Sequence, residues 1–187
     1  MEIYITRHTP VANEDNLCYG QSDIPLRESV TQDLAQLIEK LPKAIDVVFS
    51  SPLERCKLLT TALNHKNTIY SDALMEMNFG AWESKKWDAI NQEELNHWMS
   101  DFVQVKPPEG ENLIELFERV KLFLDKLRLE KHEKVLLVTH AGVMRCIWAY
   151  LLNIPLHNIF KIPVDFGQLL IIKMNEDPNF DSIKKIH

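Results

Sequence analysis

The stretch that most constrains the fold is Lys134 to Thr139, KVLLVT, a continuous apolar run rich in β-branched residues. A strand apolar on both sides has to be covered on both faces, as a central strand of a parallel sheet is covered by helices. Its flanks agree. Glu111 to Arg128 carries leucines and phenylalanines at helical spacing, and Gly142 to Leu152 resumes as helix. Earlier in the chain, Glu2 to Thr6 and Asp46 to Ser50 read as short apolar strands, with a helix over Ser29 to Leu41 between them. Ser51-Pro52-Leu53-Glu54 then reads as an N-cap, a proline at the first helical position and a capping-box glutamate. Thr68 to Ser71, Gln168 to Met174 and Ser182 to Ile186 supply further strands. Asn13 to Leu26, with Gly20 and Pro25, is a long loop, and Asn78 to Pro108 is aromatic and irregular with two short helices. The alternation predicts an α/β fold, a three-layer α/β/α sandwich with a mostly parallel central sheet. No linker divides the chain, which reads as a single domain over 1–187.

A composition of 45% hydrophobic and 26% charged residues suits one packed core. The net charge of −6 argues against a nucleic-acid or anionic-membrane binder, since those need clustered positive charge. The one mixed run, Arg128 to Lys134, reads as a solvated helix end. No apolar run approaches the roughly 20 residues that span a bilayer, and the N-terminal MEIYITRH reaches Arg7 too early for a signal peptide. Cys18, Cys56 and Cys146 are odd in number and lack C-x-x-C spacing, which suggests neither a zinc site nor a disulfide framework. The expectation is a cytoplasmic protein with a small partner, no nucleic acid and no membrane; nothing in the sequence specifies an oligomeric state.

Chemistry concentrates at four places. The first strand runs into Thr6-Arg7-His8-Thr9, which sets a cation and an imidazole at the carboxyl end of a buried strand, where open α/β sheets bind ligands. Ser50 to Arg55 repeats the arrangement with an arginine in the first turns of a helix, an anion-binding position. Val138-Thr139-His140-Ala141-Gly142 ends another buried strand with a histidine followed by small residues. Leu74 to Glu83 offers the carboxylates Glu76 and Glu83 in a loop. Each residue alone has an ordinary structural reading: a hydrogen-bonded histidine, a surface arginine, a loop carboxylate, packed tryptophans at 82, 87 and 98. Together they differ. Two histidines and two arginines at strand-to-helix junctions make a buried cluster of like charge, costly unless an anion such as phosphate occupies it.

With these motifs the chain resembles the histidine phosphatases, the phosphoglycerate-mutase-like superfamily. The resemblance runs from Ile5-Thr6-Arg7-His8-Thr9 through Ser51-Pro52-Leu53-Glu54-Arg55 and Phe79-Gly80-Ala81-Trp82-Glu83 to Val138 through Arg145. Within it, Cys18 to Leu26 and Pro107 to Asn112 are similar to the α-ribazole-5′-phosphate phosphatase subgroup, which acts in assembling the cobalamin nucleotide loop. The resemblance implies a phosphoglycerate-mutase-like fold with a lid-like insertion at about 76–110, and a phosphomonoesterase that forms a phosphohistidine. It implies His8 as nucleophile, Glu76 as proton donor, and Arg7, Arg55 and His140 as the cradle of the phosphoryl oxygens, with His140 counted among the catalytic residues. Thr9, Tyr19, Gln21, Ser22 and Trp82 are the implied substrate pocket. Neither metal nor cofactor is implied, because arginines aimed at the equatorial oxygens carry the charge of the in-line transition state.

Some positions depart from the family pattern. Thr9-Pro10 follows the first histidine where glycine is widespread, Glu14 stands where an asparagine touches phosphate, Ser84 replaces a glycine after Trp-Glu, and Asn112 replaces a serine after Gly-Glu. The alternatives are a broad sugar-phosphate or fructose-2,6-bisphosphatase-like phosphatase, which would share the phosphate-handling residues, and an inactive phosphoester-binding scaffold. A scaffold would lose the nucleophile or the acid, yet His8, Glu76 and His140 are all present. A mutase would carry an extended C-terminal tail, whereas the last strand signal lies close to His187.

Overall fold

Alternation along the strands builds the two core layers. A computed structural model describes residues 1–25 and 27–186, so the Leu26 end of the long loop lies outside the described residues. The sheet comprises β1 (Glu2–Arg7), β2 (Val47–Ser50), β3 (Thr68–Tyr70), β4 (Lys134–Thr139), β5 (Leu169–Lys173) and β6 (Ser182–Ile186), in the order β3-β2-β4-β1-β5-β6. The first four are mutually parallel, β1 pairing with β4 in the register Ile5 to Leu137; β5 runs antiparallel to β1, and β6 to β5. Side chains of a strand point alternately to opposite faces. Ile3, Ile5, Val47, Phe49, Val135 and Leu137 therefore pack on one side with α4 (Leu113–Arg128) and α5 (Ala141–Leu152). Tyr4, Val48, Leu136 and Val138 pack on the other with α1 (Val30–Glu39) and α2 (Glu54–Leu63). The three-layer α/β/α arrangement expected from the sequence is the one observed.

Neighbouring β1 and β4 send their following helices to opposite faces, α1 to one and α5 to the other. That divergence opens a crevice at their carboxyl ends, a topological switch point. His8 follows β1 there and His140 follows β4.

Between Asn78 and Pro108 the chain forms two 3₁₀ turns, Gly80–Trp82 and Trp87–Ala89, and one helix, α3 (Gln92–Ser100). These surround a small core of their own, with Cys18, Trp82 and Ile90 buried against Phe79, Trp87, Leu95 and Trp98. Asn112 caps α4 in a full capping box with Glu115, and its amide also donates to the Gln104 carbonyl. The substituted asparagine thus performs the capping that a serine would.

At two places the structure differs from what the local sequence predicts. Ser51 does not cap α2, which begins only at Glu54 with Leu53 at the cap position. The Ser51 hydroxyl is engaged with His140 Nε2 at 2.8 Å, and the freed Glu54 N–H is accepted by Asp23 at 3.0 Å. Nor is Arg128 a solvated helix end. It pairs with Asp181 at 2.7 Å, both side chains being under a tenth exposed, and so fixes the end of α4 to the segment before β6.

Candidate active site

His8 stands 2% exposed at the floor of the crevice. Its Nδ1 lies 2.7 Å from the Thr9 carbonyl, an acceptor only, so Nδ1 carries the proton and Nε2 the lone pair. Burial first, then the charges of Arg55 and Arg7, push its pKa down from 6.5 to about 3. The ring is a neutral base at physiological pH. His140, fully buried with its ring centroid 5.1 Å away, is likewise held neutral by burial and by Arg55. Its Nδ1 accepts from Arg55 Nε at 3.2 Å, which leaves the proton on Nε2, donated to Ser51.

Two arginines flank this pair. Arg55, 1% exposed, also donates to the carbonyls of Ser22 at 2.9 Å and of Gly20, so three of the five N–H groups of a guanidinium are engaged. Arg7 donates to the Val164 carbonyl at 2.7 Å, lies 3.5 Å over the Phe166 ring, and keeps its Nε–H buried without a partner. Neither forms an ion pair with a carboxylate among the described residues. Buried cations left in that state favour an anion.

Glu76 closes the opposite side. Both of its carboxylate oxygens lie 3.1 Å from the Gly142 N–H in the first turn of α5, and Oε1 accepts from Met77 N at 3.0 Å. A carboxylate from a distant loop thus occupies the positive end of that helix. Glycine at 142 lets the carboxylate come this close, because an added Cβ would lie 2.3 Å from Glu76 Oε1 and displace it.

A cavity of about 310 Å³ opens above these groups. Arg7, His8, Glu76, Gly142 and Arg145 give it a polar floor, and Leu17, Met77, Phe79, Trp87, Ile159 and Phe160 are among its apolar walls. Of the residues expected in the pocket, Tyr19 lines it. Four others lie elsewhere. Thr9 is buried and serves His8 through its carbonyl. Gln21 donates to the Glu76 carbonyl at 3.1 Å, and Ser22 donates to Glu83. Trp82, 2% exposed, is core, with its Nε1–H on Glu94 at 3.1 Å. Arg55 and His140 are not among the residues that line this cavity; the His140 ring packs beside His8, and Arg55 lies against His140. Glu14 is exposed and lines a separate groove. Arg145 was missed by the sequence reading. It lies three residues after Gly142 on α5, a spacing that puts both on one helix face and could have revealed it.

The model of the histidine phosphatase superfamily, branch 1, matches residues 3–181. The chain belongs to the histidine phosphatase superfamily. Among solved structures, the α-ribazole phosphatase of Shigella flexneri superimposes with a TM-score of 0.89 at 25% identity, covering 98% of this chain and 95% of that one. A phosphoglycerate mutase of Thermus thermophilus gives a TM-score of 0.71 at 26% identity, with 92% of each chain covered. Phosphoserine phosphatase 1 of Hydrogenobacter thermophilus is 27% identical over 169 residues, 86% of this chain and 80% of that protein. This histidine phosphatase thus resembles, over most of its length, enzymes named for three different phosphorylated substrates. Among its described residues no helix is long and apolar enough to cross a membrane.

Proposed function

We propose that this histidine phosphatase hydrolyses a small phosphomonoester through phosphohistidine at His8, with α-ribazole 5′-phosphate as its substrate. The observation that carries the mechanism is the buried, neutral His8 with its Nδ1 proton tied to Thr9. Its Nε2 lone pair attacks phosphorus, the bond to the leaving oxygen breaks, and Glu76 is the proton donor to that oxygen. Water then attacks the phosphohistidine while the Glu76 carboxylate takes its proton; the P–N bond breaks and orthophosphate leaves. Arg7 and Arg55 carry the charge on the phosphoryl oxygens, Arg55 through the N–H groups it has not yet engaged, and His140 joins them by turning its Nε2–H from Ser51 to the phosphoryl group. The segment at about 76–110 serves as a lid, bringing Glu76, Phe79 and Trp87 over the site.

The substrate reading rests on the cavity walls, since Phe79, Trp87 and Phe160 suit a flat apolar body such as the base of α-ribazole phosphate. The α-ribazole phosphatase likeness supports it. Arg145 favours a second reading. Its Nε donates to the Ile162 carbonyl at 3.1 Å, it has no carboxylate partner among the described residues, and it lines the cavity, which suits a second anionic group on a sugar bisphosphate. A panel of α-ribazole phosphate, fructose 2,6-bisphosphate, phosphoserine and phosphoglycerates decides between them. The highest kcat/KM is expected for α-ribazole phosphate. A preference for the bisphosphate, lost in Arg145→Met, would establish the second reading instead. Rapid quench at alkaline pH with labelled substrate should trap acid-labile, base-stable label in the wild type and none in His8→Ala.

A further inference from the structure

Arg55 is a fully buried cation with no carboxylate against it among the described residues, and what aims it is a piece of irregular backbone, the carbonyls of Gly20 and Ser22. That loop is itself held from its far side. The N–H of Gln21 lies 2.8 and 3.0 Å from the two oxygens of Glu83, and the N–H and hydroxyl of Ser22 converge on the same carboxylate. The Gly20 carbonyl and the Gln21 N–H belong to one planar peptide unit. Its oxygen faces the guanidinium and its hydrogen faces the carboxylate, so the peptide dipole lies between the two charges in its favourable sense. Glu83 also accepts from Phe79 N at 3.1 Å, while Gln21 Nε2 reaches the Glu76 carbonyl, which binds the proton-donor segment to the same anchor. No side chain fits at Gly20, where a Cβ would lie 1.7 Å from the Met77 carbonyl oxygen, so the two segments are in direct backbone contact.

We propose that Glu83 is a positioning residue for the phosphoryl site, its carboxylate acting through the Gly20–Gln21 peptide to fix the buried Arg55 guanidinium against His140. It touches neither substrate nor His8. The inference rests on Arg55 as a holder of the phosphoryl group. Glu83 keeps its charge in this setting, because hydrogen bonds from Gln21, Ser22 and Phe79 outweigh the cost of its partial burial and lower its pKa.

A double-mutant cycle on p-nitrophenyl phosphate tests it, since that ester needs neither the natural leaving group nor its pocket. Glu83→Gln is expected to lower kcat/KM by on the order of 10 to 100-fold and to weaken orthovanadate inhibition, with the circular dichroism spectrum unchanged. In an Arg55→Ala background the same change should cost less than about twofold, because the group it aims is gone. Equal losses in both backgrounds would show that Glu83 only holds the loop, and would overturn the proposal. Wild-type activity in Arg55→Ala alone would instead remove Arg55 from the site, and the proposal with it. Should Glu83→Gln not fold, Ser22→Ala deletes one hydroxyl donor and leaves the carboxylate in place. A severalfold loss that disappears without Arg55 supports the proposal, and one that persists overturns it.

Discussion

His8 and Thr9 are joined within a single residue step, the imidazole Nδ1 donating to the Thr9 carbonyl at 2.7 Å. The contact fixes the tautomer, with the proton on Nδ1 and the lone pair left on Nε2 for the proposed attack on phosphorus. His8→Ala is therefore expected to reduce turnover of any phosphomonoester to background while circular dichroism and chromatographic behaviour stay those of the wild type. In the proposed mechanism the charge of the transferring phosphoryl group falls to arginines, so activity should survive EDTA. A loss on chelation that Mg²⁺ or Zn²⁺ restores would contradict this mechanism.

The same burial that keeps the imidazoles neutral makes stability depend on pH. His8 is held to about 3 and His140 well below its ordinary 6.5, whereas the unfolded chain protonates both near 6.5. Below that pH the unfolded state binds more protons than the folded one, so stability falls as the solution is acidified, by up to about 1.4 kcal/mol per pH unit for each histidine. Urea midpoints measured from pH 7.5 to 5 should decline more steeply for the wild type than for His8→Asn, with the two curves parallel above pH 7. Parallel curves throughout would mean that His8 takes up its proton in the folded protein at the same pH as in the unfolded chain.

Ser84 gives a prediction independent of function. Its φ is +65°, in the left-handed region that costs a residue with a side chain roughly 1–2 kcal/mol, and its N–H is fixed on the Cys18 carbonyl at 2.8 Å. Glycine, the family's residue there, meets no such cost but loses more entropy on folding. Ser84→Gly is expected to stabilise by about 0.5–1 kcal/mol, read as a rise in thermal midpoint of a few degrees with kcat unchanged. An unaltered or lower midpoint would show that the serine side chain compensates its backbone.

How far the sequence reached depended on whether a feature is set by local pattern or by contacts across the chain. The strands and helices followed from apolar periodicity, and the positions of His8 and His140 followed from their place just after β1 and β4. Ser51 looked like a cap because serine before proline usually is one. Here His140, 89 residues away in sequence, claims the hydroxyl, and no local signal announces that. The pocket residues show the same limit. Gln21 and Ser22 share a motif with Tyr19, but they turn toward Glu83 and Glu76 while Tyr19 faces the cavity, a division set by the fold of a loop without periodicity. Arg145 was within reach, one turn beyond Gly142 on a helix already placed.

Glu76 and Glu83 can be told apart with esters of different leaving groups. A proton donor matters when the departing oxygen is a poor leaving group: the alkoxide of a sugar phosphate needs a proton, whereas nitrophenolate departs without one. Glu76→Gln should therefore slow hydrolysis of the natural ester by on the order of 10² to 10⁴-fold and spare phosphorylation by p-nitrophenyl phosphate. The second half-reaction still needs a base, so the activated ester should give a burst of one nitrophenolate per active site followed by slow turnover. Glu83→Gln should behave differently if it aims Arg55 as proposed, slowing both esters by a similar factor, since a displaced Arg55 would weaken the hold on the phosphoryl group whatever the leaving group. The contact of Glu76 with Gly142 N–H adds a structural control. A glutamine at 76 can still accept that bond through its amide oxygen, so the N-terminus of α5 stays capped and the loss can be assigned to proton transfer. Equal loss on both esters for Glu76→Gln, with the burst abolished, would instead place Glu76 among the residues that hold the phosphoryl group.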